Sequence, residues 1–197
     1  MKTLKILIVL ALLGAIAGAV VIYSGRYNIA ADEPHWPVTY KLIEILRERS
    51  ISAHAKGIEA PKLDEPKLIK EGAQHYAAMC SGCHLAPGMQ DTEIRMGLYP
   101  PAPNLVGHEH GDGEGHAGSD DLATAVRQFW IIKHGIKMTA MPAWGTTHDD
   151  NAIWGMVAFL QKLPGMTPQE YSLLTGTSVG TGAEAEGNGH GDDGHDH

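Results

Sequence analysis

Cys80-Ser81-Gly82-Cys83-His84 contains the only two cysteines of a 197-residue chain. On a helix, residues three apart share a face, so both thiols can reach the two vinyl groups on one edge of a haem while His84 turns toward the iron. Cys-x-x-Cys-His is the attachment pattern of haem c, with two thioethers and an axial imidazole. The same spacing also serves zinc sites and redox dithiols. Tetrahedral zinc needs four protein ligands, and there is no second cysteine pair; a thioredoxin-like dithiol needs a βαβ pattern, which does not surround this stretch.

Just upstream, Pro66 stands near the first position of a helix capped by Asp64 or Glu65, and this helix runs straight into the motif. Gly72 and Tyr76 lie four apart on one of its faces, where a glycine marks close approach by another backbone. Met79 either lines the haem pocket or fills core, and His75 is read as facing solvent. Downstream, Leu85-Ala86-Pro87-Gly88 and Tyr99-Pro100-Pro101-Ala102-Pro103-Asn104-Leu105 hold too much proline for regular structure. Such a loop can lie along a haem edge and offer a carbonyl to the Nδ1 proton of His84, which fixes the imidazole and raises its basicity. Pro103 is the first candidate for that carbonyl and Pro87 the second.

Residues 107–118 are almost wholly Gly, His and acid and cannot support a packed core, so they read as a surface loop. His108, His110 and His116, with His190, His195 and His197 of the tail, could capture Cu²⁺, Zn²⁺ or Ni²⁺ weakly, though neither segment has a rigid scaffold. Ser119 and Asp120 cap a helix from about Asp121 to His134, with Leu122, Val126, Phe129 and Trp130 as its apolar stripe and Gly135 at its C-terminal end. Lys133 and His134 there complement the helix dipole. The loop Gly135–Gly145 follows, with Met138 and Met141. A thioether favours Fe(II), and one of these is expected to face the iron: Met141, stiffened by Pro142, ahead of Met138, with Met96, a histidine or an open position as the remaining alternatives. A last helix, from Asp149 or Asp150 to Lys162, carries Ile153, Trp154, Val157 and Leu160 and stops at Pro164-Gly165.

Farther out, Pro37 opens a helix to about Ala55, where Val38, Leu42, Ile45 and Leu46 form a stripe expected to dock on something. Pro61 and Pro66 bracket a charged joint. The N-terminus has Lys2 and Lys5, then eighteen residues from Ile6 to Tyr23 without a charge. That length approaches the roughly 20 residues that span a bilayer and exceeds most signal-peptide cores. An uncleaved anchor is favoured over cleavage at Ala17-Gly18-Ala19, because the apolar run continues past that point. Lys2 and Lys5 keep the N-terminus cytoplasmic and put the rest on the other face. The formal charge of −8 offers no basic footprint for nucleic acid, while acidic patches could steer docking onto a basic partner.

Together these residues resemble class I cytochrome c over roughly residues 66–163. Gly72 and Tyr76 before Cys80-x-x-Cys83-His84 resemble the family's N-terminal helix, Pro103-Asn104-Leu105 its haem-edge loop, Met141-Pro142-Ala143-Trp144 its bacterial methionine loop, and Phe159-Leu160 its C-terminal helix. The resemblance implies an all-α fold around one covalent haem c, with Gly72 against the last helix. The chain then divides into an anchor or signal (1–25), a helical extension (26–65), a cytochrome domain (66–168) and a disordered His/Asp/Gly-rich tail (169–197). Its expected role is single-electron transfer between redox proteins at a bacterial inner membrane, facing the periplasm. Cys80 and Cys83 would hold the haem, with His84 and Met141 on the iron and Pro103 behind His84. The rivals are a haem enzyme or sensor with an open sixth position, and a divalent-metal handler using the histidine segments.

Overall fold

The computed structural model describes residues 2–107 and 121–177, and every regular element among them is helical. Helix α1, Lys2–Tyr23, is built from Leu, Ile, Val, Ala and Gly alone between Ile6 and Ile22, and buries none of its residues. Its mean hydropathy reaches 2.8 over an eighteen-residue window, so it is long and apolar enough to cross a membrane. Helix α2, Pro37–His54, begins with proline in its first turn, where a missing N–H costs nothing.

The haem-motif region begins with α3, Pro66–Met79, which Pro66 opens as the sequence predicts. The short α4, Ser81–His84, and α5, Glu93–Met96, follow. Helix α6, Asp121–His134, leads through a loop and a 3₁₀ turn, Trp144–Thr146, into α7, Asp150–Leu160. Asp149 caps α7 by accepting a 2.8 Å hydrogen bond from the Ala152 amide.

Helices α3 and α7 form the central pair, and their contact is backbone on backbone. A side chain at Gly72 would collide with the Gly155 carbonyl and come within 2.7 Å of the Met156 nitrogen. Only glycine permits this approach. It lets Tyr76 of α3 reach Phe159 of α7 at a ring separation of 5.2 Å. On the other side of α7, Trp154 stacks on Phe129 of α6 at 4.1 Å and 14°. Residues Ile153 to Leu160 are all buried, so α7 is a central helix rather than a one-faced one.

Two expectations are corrected here. The tail was expected to be disordered from residue 169, but Pro168–Thr175 form helix α8. Thr167 and Glu170 close a capping box at its start, and a left-handed Gly176 ends it. Tyr171 is fully buried against Tyr76 and Phe159, so α8 completes the core. Residues 178–197 lie outside the described residues. The second correction concerns α2. Its Val38, Leu42, Ile45 and Leu46 stripe stays exposed, and the helix docks through the opposite face. Ile51 is buried there, Glu48 accepts a 2.7 Å bond from Arg127 of α6, and His54 lies beside Trp130.

Replacing Gly72 with alanine forces α3 and α7 apart and is expected to cost about 2–3 kcal/mol. Gly155→Ala, whose new carbon would first meet the Leu68 carbonyl at 3.2 Å, should cost less. Denaturant titration of the haem-loaded protein measures both, and an equal or smaller loss for Gly72→Ala would contradict the contact described.

Candidate haem site

The α3 helix ends at Met79 and the chain turns through Cys80 into the single helical turn of α4. Cys80 and Cys83 are both half-buried and unpaired with each other. Burial, with a smaller contribution from Cys83, pushes the Cys80 thiol up to about 12, so it stands as a neutral S–H. The turn is fixed from three sides. Ser81 donates to the Ala77 carbonyl at 2.9 Å, and Thr92 to the Gly82 carbonyl at 2.6 Å. Tyr76 donates to the Leu85 carbonyl at 2.6 Å and lies 3.3 Å from that of His84. The Tyr76 phenol is buried, which raises its pKa far above the ordinary value and keeps it a donor.

His84 is oriented by the proline-rich loop. Its Nδ1 lies 2.9 Å from the Pro103 carbonyl oxygen. A carbonyl can only accept, so Nδ1 carries the proton and Nε2 keeps its lone pair. Leu105 returns a backbone N–H to the His84 carbonyl at 3.2 Å, closing the loop on both ends of the residue. Burial lowers the His84 pKa, the Pro103 bond opposes that, and the nearby Arg95 charge lowers it further. The imidazole is therefore neutral and a ready metal ligand. Pro87, the second candidate for this carbonyl, is buried, and the hydrogen bond goes to Pro103.

Arg95 was not singled out from the sequence, yet it holds this loop. Its Nε donates to the Ala102 carbonyl at 3.1 Å, one residue before Pro103, and its Nη1 pairs with Asp91. Thr92 caps α5 by accepting from the Arg95 amide at 3.1 Å. The Asp91–Arg95 spacing of four was the available signal, but it lies in a stretch with no apolar period to mark a helix.

The three methionines considered as ligands sit in different settings. Met138 is 92% exposed, with a positive φ of 62° on a non-glycine residue, and Met96 is 66% exposed. Met141 is half-buried and packs against the core. Its loop is built around Gly135, which ends α6 at φ +65°. A side chain there would come within 2.7 Å of the Met141 carbonyl and the Pro142 carbonyl carbon. The Ile136 amide bonds the Met141 carbonyl at 3.2 Å, and the Met141 amide bonds the Thr139 hydroxyl at 3.1 Å. Met141 is thus held by its own backbone. His75, read as solvent-facing, is instead half-buried with its ring 5.2 Å from that of His148. Among the described residues no group of three or more His, Cys, Asp or Glu side chains could hold a metal ion. His108, His110, His116, His190, His195 and His197 lie outside the described residues.

Two free thiols three residues apart, followed at once by a neutral imidazole whose Nδ1 is already engaged, fit a covalently held haem, and the helices around them define a c-type haem domain. Residues 67–160 match the family model described as cytochrome c oxidase, cbb3-type, subunit III. This match supports a class I-like monohaem c-type cytochrome domain over residues 67–160, which implies covalently bound haem c and electron transfer as its general chemistry. No curated protein and no solved structure matched the chain.

Removing the guanidinium in Arg95→Met frees the Ala102–Pro103 loop. The expected result is a stability loss of about 1–3 kcal/mol and faster solvent exchange of the His84 Nδ1 proton, read by NMR on the reduced holo-protein. Arg95→Lys should restore neither, since an ammonium lacks the second donor of the fork. Unchanged exchange in Arg95→Met would show that Pro103 is held without it.

Proposed function

We propose that this protein is a membrane-anchored electron carrier in which Cys80 and Cys83 hold the haem and His84 and Met141 ligate its iron. The observation that carries this reading is the 2.9 Å contact between His84 Nδ1 and the Pro103 carbonyl, beside two unpaired thiols. It fixes the tautomer that leaves Nε2 available, and hydrogen bonding at the far nitrogen makes the imidazole a better donor. Haem, when bound, supplies a one-electron iron couple. The residues around it determine which way that couple leans. A soft, neutral thioether from Met141 favours the reduced form, and two protein ligands leave no position for a substrate. That makes the domain a carrier rather than a catalyst.

Met141 is preferred because it alone of the three candidate methionines is half-buried, and because the α6 C-terminus, Thr139 and Pro142 fix its backbone. Residues 66–175 form the haem domain in this reading, with α8 included. Residues 24–65 connect it to α1, which anchors the chain in a bacterial inner membrane with Lys2 and Lys5 on the cytoplasmic face and the haem domain on the periplasmic face. Its partners are redox proteins. The matched family's description supports the further reading that the domain serves as the electron-transfer subunit of a larger oxidoreductase.

Replacing Met141 with alanine tests the ligand assignment. The weak sulfur-to-iron charge-transfer band of the ferric protein should vanish, and the reduction potential should fall by on the order of 0.1 V or more, within the range that axial ligands span. Met138→Ala should change neither. A sulfur band that survives Met141→Ala, or a high-spin ferric spectrum in the unmodified protein, would remove Met141 from the iron.

A further inference from the structure

The large apolar side chains left exposed beyond α1 are unevenly placed. Among the described residues, eight fall between Ile29 and Leu46, against five between Ile51 and Thr177. Scattered exposed apolar residues are ordinary, but a concentration in one segment is not. In α2 they form a row: Val38, Leu42 and Leu46 are 64%, 63% and 70% exposed, and Ile45 beside them is 47% exposed. These positions share one face of the helix, while Glu48, which accepts from Arg127 of α6, and the buried Ile51 lie on the other. Arg49 is exposed in line with the row.

The segment between α1 and α2 ties these features to the end of α1. Residues 24–36 could reach no farther than roughly 45 Å if fully extended. They are in fact folded back. The Tyr27 ring meets Trp36 edge-on at 4.9 Å, and its hydroxyl lies 2.9 Å from His35 Nδ1. The His35 amide donates to the Tyr99 hydroxyl at 3.0 Å, which fastens the segment to the loop that carries Pro103. Exposed Tyr23 and Trp36 are of the types that settle at a membrane–water boundary.

We propose that α2 lies on the surface of the bilayer that α1 enters, with the Val38, Leu42, Ile45 and Leu46 row in the headgroup region and the Glu48–Ile51 face holding the haem domain. Arg49 suits anionic headgroups at that depth. Four aliphatic side chains on one helix offer much less than the roughly 800 Å² per partner that a stable protein interface buries. They suffice for a surface that α1 already keeps close, because tethering makes the second contact intramolecular. In this arrangement the haem domain does not swing on a free leash; its orientation to the membrane is set by α2.

The proposal rests on the reading of α1 as an anchor, and spin labelling separates the two. With haem in both thioethers, an introduced cysteine is the only free thiol. Leu13→Cys, Leu42→Cys and Leu173→Cys, the last on exposed α8, are labelled in the full-length reduced holo-protein. Each is then reconstituted in vesicles of phosphatidylethanolamine and phosphatidylglycerol. Accessibility to an aqueous nickel chelate should be lowest at position 13, several-fold lower at 42 than at 173, and highest at 173. A label at 42 as accessible as that at 173, with 13 shielded, overturns the proposal and leaves the anchor standing. Accessibility at both 13 and 42 overturns both. Shielding at 42 that scales with the protein-to-lipid ratio marks a second copy as the occupant and also overturns it.

Discussion

The contact on which the rest of the structure depends is the approach of two backbones at Gly72 and Gly155. Because neither residue carries a side chain, α3 and α7 meet closely enough for Tyr76 to pack on Phe159 and for Tyr171 of α8 to close over both. Tyr76 then reaches forward to the carbonyls of His84 and Leu85. A crossing of two glycines is in this way coupled, through one phenol, to the backbone of His84, the proposed iron ligand. The haem motif gets its fixed geometry from the helix pair behind it, and the proline loop adds the second restraint from the front.

Two kinds of support meet at His84. Tyr76 and Leu105 hold its backbone, and Pro103 holds its ring. Behind Pro103 stands Arg95, whose bond to Ala102 keeps the loop in register. The methionine loop is supported separately, by the end of α6. Lys133 reaches from that helix to Asp150 at 2.6 Å and lies 5.4 Å above the Phe129 ring, which joins the loop's two flanking helices. If Met141 ligates iron as proposed, a loop braced at both ends changes little when the iron changes charge, which suits electron transfer.

Much of this was legible in the sequence because it is written in residue types with one physical use. Pro66 can open a helix but not continue one, Gly135 accepts the left-handed turn that ends one, and Cys80, Cys83 and His84 carry their chemistry in their spacing. Other features depend on contacts between distant residues. The apolar stripe of α2 points away from the domain, and what docks this helix is Ile51 with a Glu48–Arg127 pair separated by 79 residues, which no local period announces. Helix α8 is only eight residues long and is set in place by the burial of Tyr171 against Tyr76 and Phe159, distant contacts that so short a segment does not announce. Arg95 went unnoticed because a positioning role through a carbonyl leaves no motif.

The most direct test of the ligand set is proton NMR of the reduced, haem-loaded protein, because a methionine bound to low-spin iron has its methyl protons moved far upfield by the porphyrin ring current. The account predicts one such resonance, lost in Met141→Ala and retained in Met138→Ala, together with a slowly exchanging Nδ1 proton on His84. An upfield methyl that belongs to Met138 or Met96, or none at all, would contradict it.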